Sequence, residues 1–183
     1  MTEEKTRCKW CNMKNPQYVK YHDEEWGQQT KDEQYLYEMF ILETFQAGLS
    51  WEIILNKRKA FKDAYDNFNI DKIIKYDETK KQQLYENKDI IRNKLKINAS
   101  VENSKIYKQI VDEYGSFYNY LKNFIQDEII YEYDKTQNEI SDRLSDDLKK
   151  RGMKFTGSIT IYSYLQAIGV INSHTPDCFM YKK

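Results

Sequence analysis

The two histidines of the chain each stand near a cysteine, Cys8 with His22 close to one end and His174 with Cys178 close to the other. Imidazole nitrogen and thiolate sulfur are the donors zinc prefers, and His174-Thr-Pro-Asp-Cys178 has the short loop spacing that lets two ligands reach one ion. Two such half-sites make one Cys2His2 set. Protein would then fill all four positions, leaving none open for water, so the metal would be structural rather than catalytic. Two other readings stay open on spacing alone. Inert buried cysteines with surface histidines give the same pattern, and Cys8 with Cys11 forms a Cys-x-x-Cys pair, although no βαβ pattern surrounds it.

A second candidate is a carboxylate. On a helical wheel begun at Leu36, Phe40 falls at about 40°, Glu43 at about 340° and Met39 at about 300°, which puts Glu43 inside an apolar stripe. A carboxylate there is costly unless it is paired or kept for a task. An ion pair or a helix-end contact is the plainer reading. The string Phe-Gln-Ala-Gly-Leu-Ser-Trp follows: Gly48 breaks the helix, Leu49 is exposed on a turn, and Ser50 caps a helix with Trp51 in its first turn. Further on, Gly152 and Gly157 bracket a tight connection between two helices. Free amides at the second helix's start would hold a phosphate, and Lys149, Lys150, Arg151 and Lys154 add positive charge. An ordinary helical turn with solvated lysines has the same sequence signature.

Helices must position these groups. The pattern predicts one from Asp32 to about Gln46, one over Trp51–Tyr65, one or two short ones over Asn69–Asn87, a long one over Ile90–Tyr114, and one over Ser116–Phe124. Ser141 opens a helix to about Lys150, and Ser158 opens another that Gly169 ends. Six Gly and two Pro in 183 residues are too few for a many-turned β fold, while 16 Tyr, 8 Phe and 3 Trp supply a core. The expectation is an all-α bundle of one domain, 1–183, with segments 1–30 and 170–183 packed on its core. Lys plus Arg equals Asp plus Glu at 29 each, so a polyanion site must be a local patch. No apolar run approaches the ~18 residues of a membrane span, the acidic start is unlike a signal peptide, and three cysteines are too few for a disulfide scaffold. A cytoplasmic protein without membrane partners follows, and with no unused apolar seam, a monomer.

Six ordered blocks add a more specific signal. Arg-Cys-Lys-Trp, Gln-Tyr-Val-Lys-Tyr-His-Asp-Glu-Glu-Trp-Gly, Leu-Glu-Thr-Phe-Gln-Ala-Gly-Leu-Ser-Trp, Asp-Ile-Ile-Arg-Asn-Lys-Leu-Lys-Ile, Lys-Lys-Arg-Gly-Met-Lys-Phe-Thr-Gly and Asn-Ser-His-Thr-Pro-Asp-Cys resemble bacterial 3-methyladenine DNA glycosylase I. The resemblance runs from Cys8 to Cys178. It implies a helix-hairpin-helix fold and a monofunctional glycosylase that hydrolyses the base-to-sugar bond of 3-methyladenine in alkylated double-stranded DNA, releasing the free base. It also implies a structural zinc on Cys8, His22, His174 and Cys178 and a base pocket of Trp10, Tyr18, Tyr21, Glu43 and Trp51. Leu49 beside Gly48 would be the wedge entering the duplex, and Lys154 and Gly157 would meet DNA on the hairpin.

The residue types agree with that chemistry. A base alkylated at N3 and still bonded to sugar is a cation with a weakened bond, so aromatic faces and a desolvated carboxylate select it over neutral adenine. A flipped base leaves a gap that an apolar wedge fills. Glu43 is the catalytic candidate, Trp26 reads as core, and Asp177, held between His174 and Cys178, is left out of the catalytic set. None of the pocket residues named above is a lysine, so hydrolysis without strand cleavage is expected. Lys9, Cys11 and Thr44 depart from the family pattern; Thr44, where Gly commonly follows the key Glu, would narrow the pocket or alter the helix exit. The alternative is a zinc-stapled helix-hairpin-helix module that binds DNA without chemistry.

Overall fold

A computed structural model describes residues 5–182; residues 1–4 and 183 of the expected domain lie outside the described part. The described helices are α1 (Pro16–Glu24), α2 (Glu33–Gln46), α3 (Trp51–Ala64), α4 (Ile70–Ile73), α5 (Glu78–Glu86), α6 (Lys94–Tyr114), α7 (Phe117–Leu121), α8 (Glu139–Lys150) and α9 (Ser158–Ala167). Two two-residue strands, β1 (Ile130–Tyr131) and β2 (Ile171–Asn172), pair in parallel and tie the 126–138 connection to the C-terminal segment. Among the described residues, that bridge is the one departure from an all-α reading. None of the described helices is long and apolar enough to cross a membrane.

Local side-chain chemistry starts most of these helices. Asn15, Asp32, Asn69, Asp77, Asn93, Ser116 and Asn138 each sit in extended backbone and accept an N–H from the first turn, satisfying donors that have no partner inside the helix. Several starts therefore differ from expectation. The long helix begins at Lys94 because Asn93, not a residue near Ile90, provides the cap. Asn138 caps α8, and Ser141 closes the reciprocal half of the capping box. Ser50 and Gly157 occupy the cap positions of α3 and α9 without making a side-chain cap bond.

Helix α2 is the centre of the bundle. Every residue from Leu36 to Phe45 is buried, so it carries no solvent-facing stripe, and α3, α6, α7 and α9 all pack on it. The wheel is thus replaced by all-round burial, which makes Glu43 more isolated from water than a stripe would. Phe40 meets Tyr107, Phe117 and Tyr164, and the Tyr107 and Phe117 rings stack with centroids 3.9 Å apart. Each such buried aromatic contributes about 1.5–3 kcal/mol of transfer free energy. At the end of α9, Gly169 has φ +72, and a Cβ there would collide with the backbone of Gln28 and Gln29. Only glycine lets the Gln28–Gln29 backbone lie this close to the C-terminal segment.

Candidate functional site

The short helix α1 serves two sites at once. Pro16 starts it, and Tyr18, Tyr21 and His22 fall at the i, i+3, i+4 spacing that shares one buried face. Its start is anchored to α3: Asn12 and Asn15 each donate to Glu52 Oε1, at 2.8 and 2.9 Å, and Asn15 also donates to Asn56 Oδ1 at 2.8 Å. The two tyrosines turn toward a cleft and the histidine toward a cysteine-histidine cluster.

The cleft has a volume of about 280 Å³, and Trp10, Tyr18, Tyr21, Glu43 and Trp51 all line it. The five expected pocket residues therefore meet in one place. Tyr21 and Trp51 lie with ring centroids 5.2 Å apart, and Trp10 lies 5.3 Å from Tyr18. Trp10 is 36% exposed and forms the open edge. Glu43 is only 3% exposed, and its Oε2 has no hydrogen-bond partner among the described residues; the same holds for the Trp51 Nε1–H. Burial alone pushes the Glu43 carboxyl well above the usual carboxylate range. Burial likewise pushes Tyr18 up to about 12, so its ring stays a neutral phenol. The cleft thus offers one desolvated carboxylate among neutral aromatic faces, an arrangement that favours a flat cation carrying an N–H donor.

The raised carboxyl has a consequence for stability. The folded chain holds the Glu43 proton more tightly than the unfolded chain, so Glu43 weakens the fold as pH rises above its ordinary value of 4.5. Glu43→Gln should raise the melting temperature at pH 7, with the gain shrinking to nothing as pH falls toward 4.5. Thermal melts of both proteins from pH 4 to 8 check this. An offset independent of pH would refute it.

Other lining residues escaped sequence reasoning. Trp26, read as core, is buried but also lines the cleft, its ring 4.7 Å from that of Trp10. Gln46 lies one turn past Glu43 on α2, while Ser163, Gln166 and Thr175 come from the far end of the chain. Lys135 also lines the cleft, contrary to the expectation of no lysine there, although its ammonium pairs with Glu132 at 2.6 Å. Thr44 does not line the cleft. Its hydroxyl turns back to Ile41 O at 2.8 Å, so the expected narrowing does not arise.

Cys8, His22, His174 and Cys178 are all buried, and their donor atoms lie within 4.8 Å of one another. Cys8 Sγ is 3.5 Å from His174 Nδ1, and Cys178 Sγ is 3.5 Å from both His174 Nδ1 and His22 Nε2. Bond lengths of about 2.3 Å to sulfur and about 2.0 Å to nitrogen give a tetrahedral zinc site a sulfur-to-nitrogen edge of about 3.5 Å, so the set fits that ion. Each remaining ring nitrogen is engaged elsewhere, His22 Nδ1 with Asp23 at 2.8 Å and His174 Nε2 with Trp26 O at 3.2 Å. Arg7 in turn grips both oxygens of Asp23, at 2.8 and 2.6 Å. Such outer partners fix the orientation of the ligand rings. Cys11 stands outside the cluster, its Sγ 3.9 Å from Tyr18 O. Asp177 is exposed, accepts from the Thr175 hydroxyl at 2.6 Å and does not line the cleft.

Two loops flank the cleft-bearing core. Gly48 adopts φ +78 after α2, and the Leu49 N–H closes the turn on Gln46 O at 2.6 Å. Leu49 is half-buried against the core rather than fully exposed. Between α8 and α9, Gly152 has φ +99 and Phe155 φ +58. Asn103 of α6 bonds both sides of the Lys154 backbone, at 2.8 and 2.9 Å, while the Lys154 side chain is exposed. Open space surrounds Gly157, so another backbone or a phosphate can approach the start of α9. Arg151 is not free for such a contact, being bonded to Asp147 and Glu113 at 2.9 and 2.8 Å.

Comparison with known proteins places this geometry. A family model described as methyladenine glycosylase matches residues 10–181. The chain is 37% identical over 182 residues to DNA-3-methyladenine glycosylase 1 of Escherichia coli (strain K12), covering 96% of each. A crystal structure of 3-methyladenine DNA glycosylase I superposes with a TM-score of 0.92 at 34% identity, covering 97% of this chain and all of that one. A structure on 3-methyladenine recognition by 3-methyladenine DNA glycosylase I from Staphylococcus aureus does so with a TM-score of 0.88 at 32% identity, covering 93% and 94%.

Proposed function

The chain belongs to the methyladenine glycosylase family, and from that premise we propose that it removes 3-methyladenine from alkylated double-stranded DNA by hydrolysing the bond between base and sugar. The observation that carries the reading is the buried, unpartnered Glu43 carboxylate in an aromatic cleft. N3-methylated adenine still bonded to deoxyribose is a cation, and Glu43 supplies the counter-charge and an acceptor for an N–H of the base. Tyr18, Tyr21, Trp10 and Trp51 supply faces that attract the cation by about 0.5–2 kcal/mol each. Neutral adenine gains little from either. On cleavage the bonding pair stays with the departing base, which leaves neutral, and positive charge passes to the sugar. Water adds its oxygen to that carbon and gives up a proton, for which Glu43 is a nearby acceptor.

Extrusion of the base is assigned to Leu49, carried on the Gly48 turn, and anchoring to the start of α9 at Gly157 with Lys154 beside it, a helix-hairpin-helix contact with the backbone. The fit of Cys8, His22, His174 and Cys178 to a tetrahedron supports one structural zinc. Bound there, it supplies no chemistry to the base and holds α1 and the C-terminal segment as the two walls of the cleft.

Chromatography of bases released from dimethyl-sulfate-treated DNA tests the proposal. Free 3-methyladenine without strand cleavage is expected, because Lys135, the lysine that lines the cleft, is ion-paired with Glu132. Release of no base by folded, metal-loaded protein would favour the non-catalytic DNA-binding module instead.

A further inference from the structure

Lys96 stands in the first turn of α6 and is 7% exposed, yet no carboxylate pairs with it among the described residues. Its ammonium donates to Phe45 O at 2.7 Å and to Ala47 O at 2.5 Å, the closing carbonyls of α2 that have no partner within that helix. The same ammonium lies 5.8 Å from the centre of the Phe155 ring in the loop between α8 and α9. Two turns further along α6, Asn103 holds the backbone of Lys154 in that loop. One helix therefore grips the Leu49 turn and the hairpin loop together. Lys96 does not line the cleft, so it is no nucleophile for the sugar.

A buried ammonium without a counter-ion costs the fold more than a methionine of the same length would, so packing alone does not account for it. We infer that Lys96 is a positioning residue for base extrusion: by holding Phe45 O and Ala47 O against the Phe155 loop, it sets the Leu49 wedge at a fixed distance from the DNA backbone gripped by the hairpin. This rests on the proposed glycosylase reading. Without Lys96, the Gly48 turn loses its tie to α6 and is free to recede as Leu49 is pressed against stacked bases.

The test is a double-mutant cycle of Lys96→Met and Leu49→Ala, read by single-turnover base release from methylated duplex DNA and by binding of free 3-methyladenine. Lys96→Met is expected to slow release by about 10- to 100-fold. Free-base affinity should stay within about twofold, since the cleft is untouched, and the double variant should be no slower than the slower single one. Lys96→Arg, which keeps the charge and the donors, should restore most of the rate. Losses that multiply, or an equal loss of free-base affinity, would overturn the inference, as would wild-type rates in Lys96→Met. If that variant does not fold, Lys96→Gln takes its place with the same readouts. Failure of the underlying reading is distinct, since wild type would then release no base at all.

Discussion

Glu43→Gln should release 3-methyladenine from alkylated duplex DNA about 10²- to 10³-fold more slowly than wild type at neutral pH. Glutamine keeps the shape of the side chain and an acceptor oxygen but removes the charge. In this cleft Oε2 has no protein partner among the described residues, and the other carboxylate that lines it, Asp134, is exposed to solvent, where its charge is screened. A cationic base draws the Glu43 carboxyl down from its raised value, so binding expels a proton from the free protein. Affinity for the cationic substrate should therefore rise with pH through the free-protein titration of Glu43, and the Gln variant should lose that dependence. Binding of methylated duplex DNA and single-turnover release across pH 5–8 measure both. Undiminished release by the variant would leave Glu43 no electrostatic role. The same substitution is expected to stabilise the fold at pH 7, so a slow, hyperstable variant is the combined signature, and misfolding cannot mimic it.

Cys8→Ser should lose the metal altogether, from one ion per chain to none, and lower stability by at least about 3 kcal/mol, or about 6–12 °C in melting temperature. The loss should reach the cleft as well. Trp10 follows Cys8 by two residues, and Trp26 has its ring 4.7 Å from that of His174 and its carbonyl on His174 Nε2. Free 3-methyladenine binding should weaken in parallel. Cys11→Ser, whose sulfur faces Tyr18 O outside the cluster, should keep the full metal content. Elemental analysis with melting curves decides the matter. Metal retained by Cys8→Ser and lost from Cys11→Ser would reverse the assignment.

Much of this arrangement was legible in the chain before folding. The caps at Asp32 and Ser116 announced their helices through side-chain chemistry that acts within three residues. The ordered blocks carried the five pocket residues and the four cluster residues together. Helix α1 was not placed, because at nine residues it is shorter than the stretch over which a helical period stands out, and tertiary packing is what buries Tyr18, Tyr21 and His22. Ser163, Gln166 and Thr175 were missed for another reason: such common residues acquire meaning only when α9 and the C-terminal segment fold against α1. Lys96 was invisible in the same way. A lysine near a helix start reads as solvated, and only the position of the α2 carbonyls makes it otherwise.

The cleft and the cysteine-histidine cluster draw on opposite ends of the chain, with Cys8 and His174 separated by 166 positions. During synthesis, Trp10, Tyr18, Glu43 and Trp51 emerge from the ribosome long before the segment that contributes Ser163, Gln166 and Thr175. The central helix can collapse with its early neighbours, but the base-binding surface cannot be finished until translation has passed Cys178. The cleft of a nascent chain is thus incomplete for nearly the whole of its production, and a truncated product lacking the last helix and its tail would carry half the cleft and half the cysteine-histidine cluster.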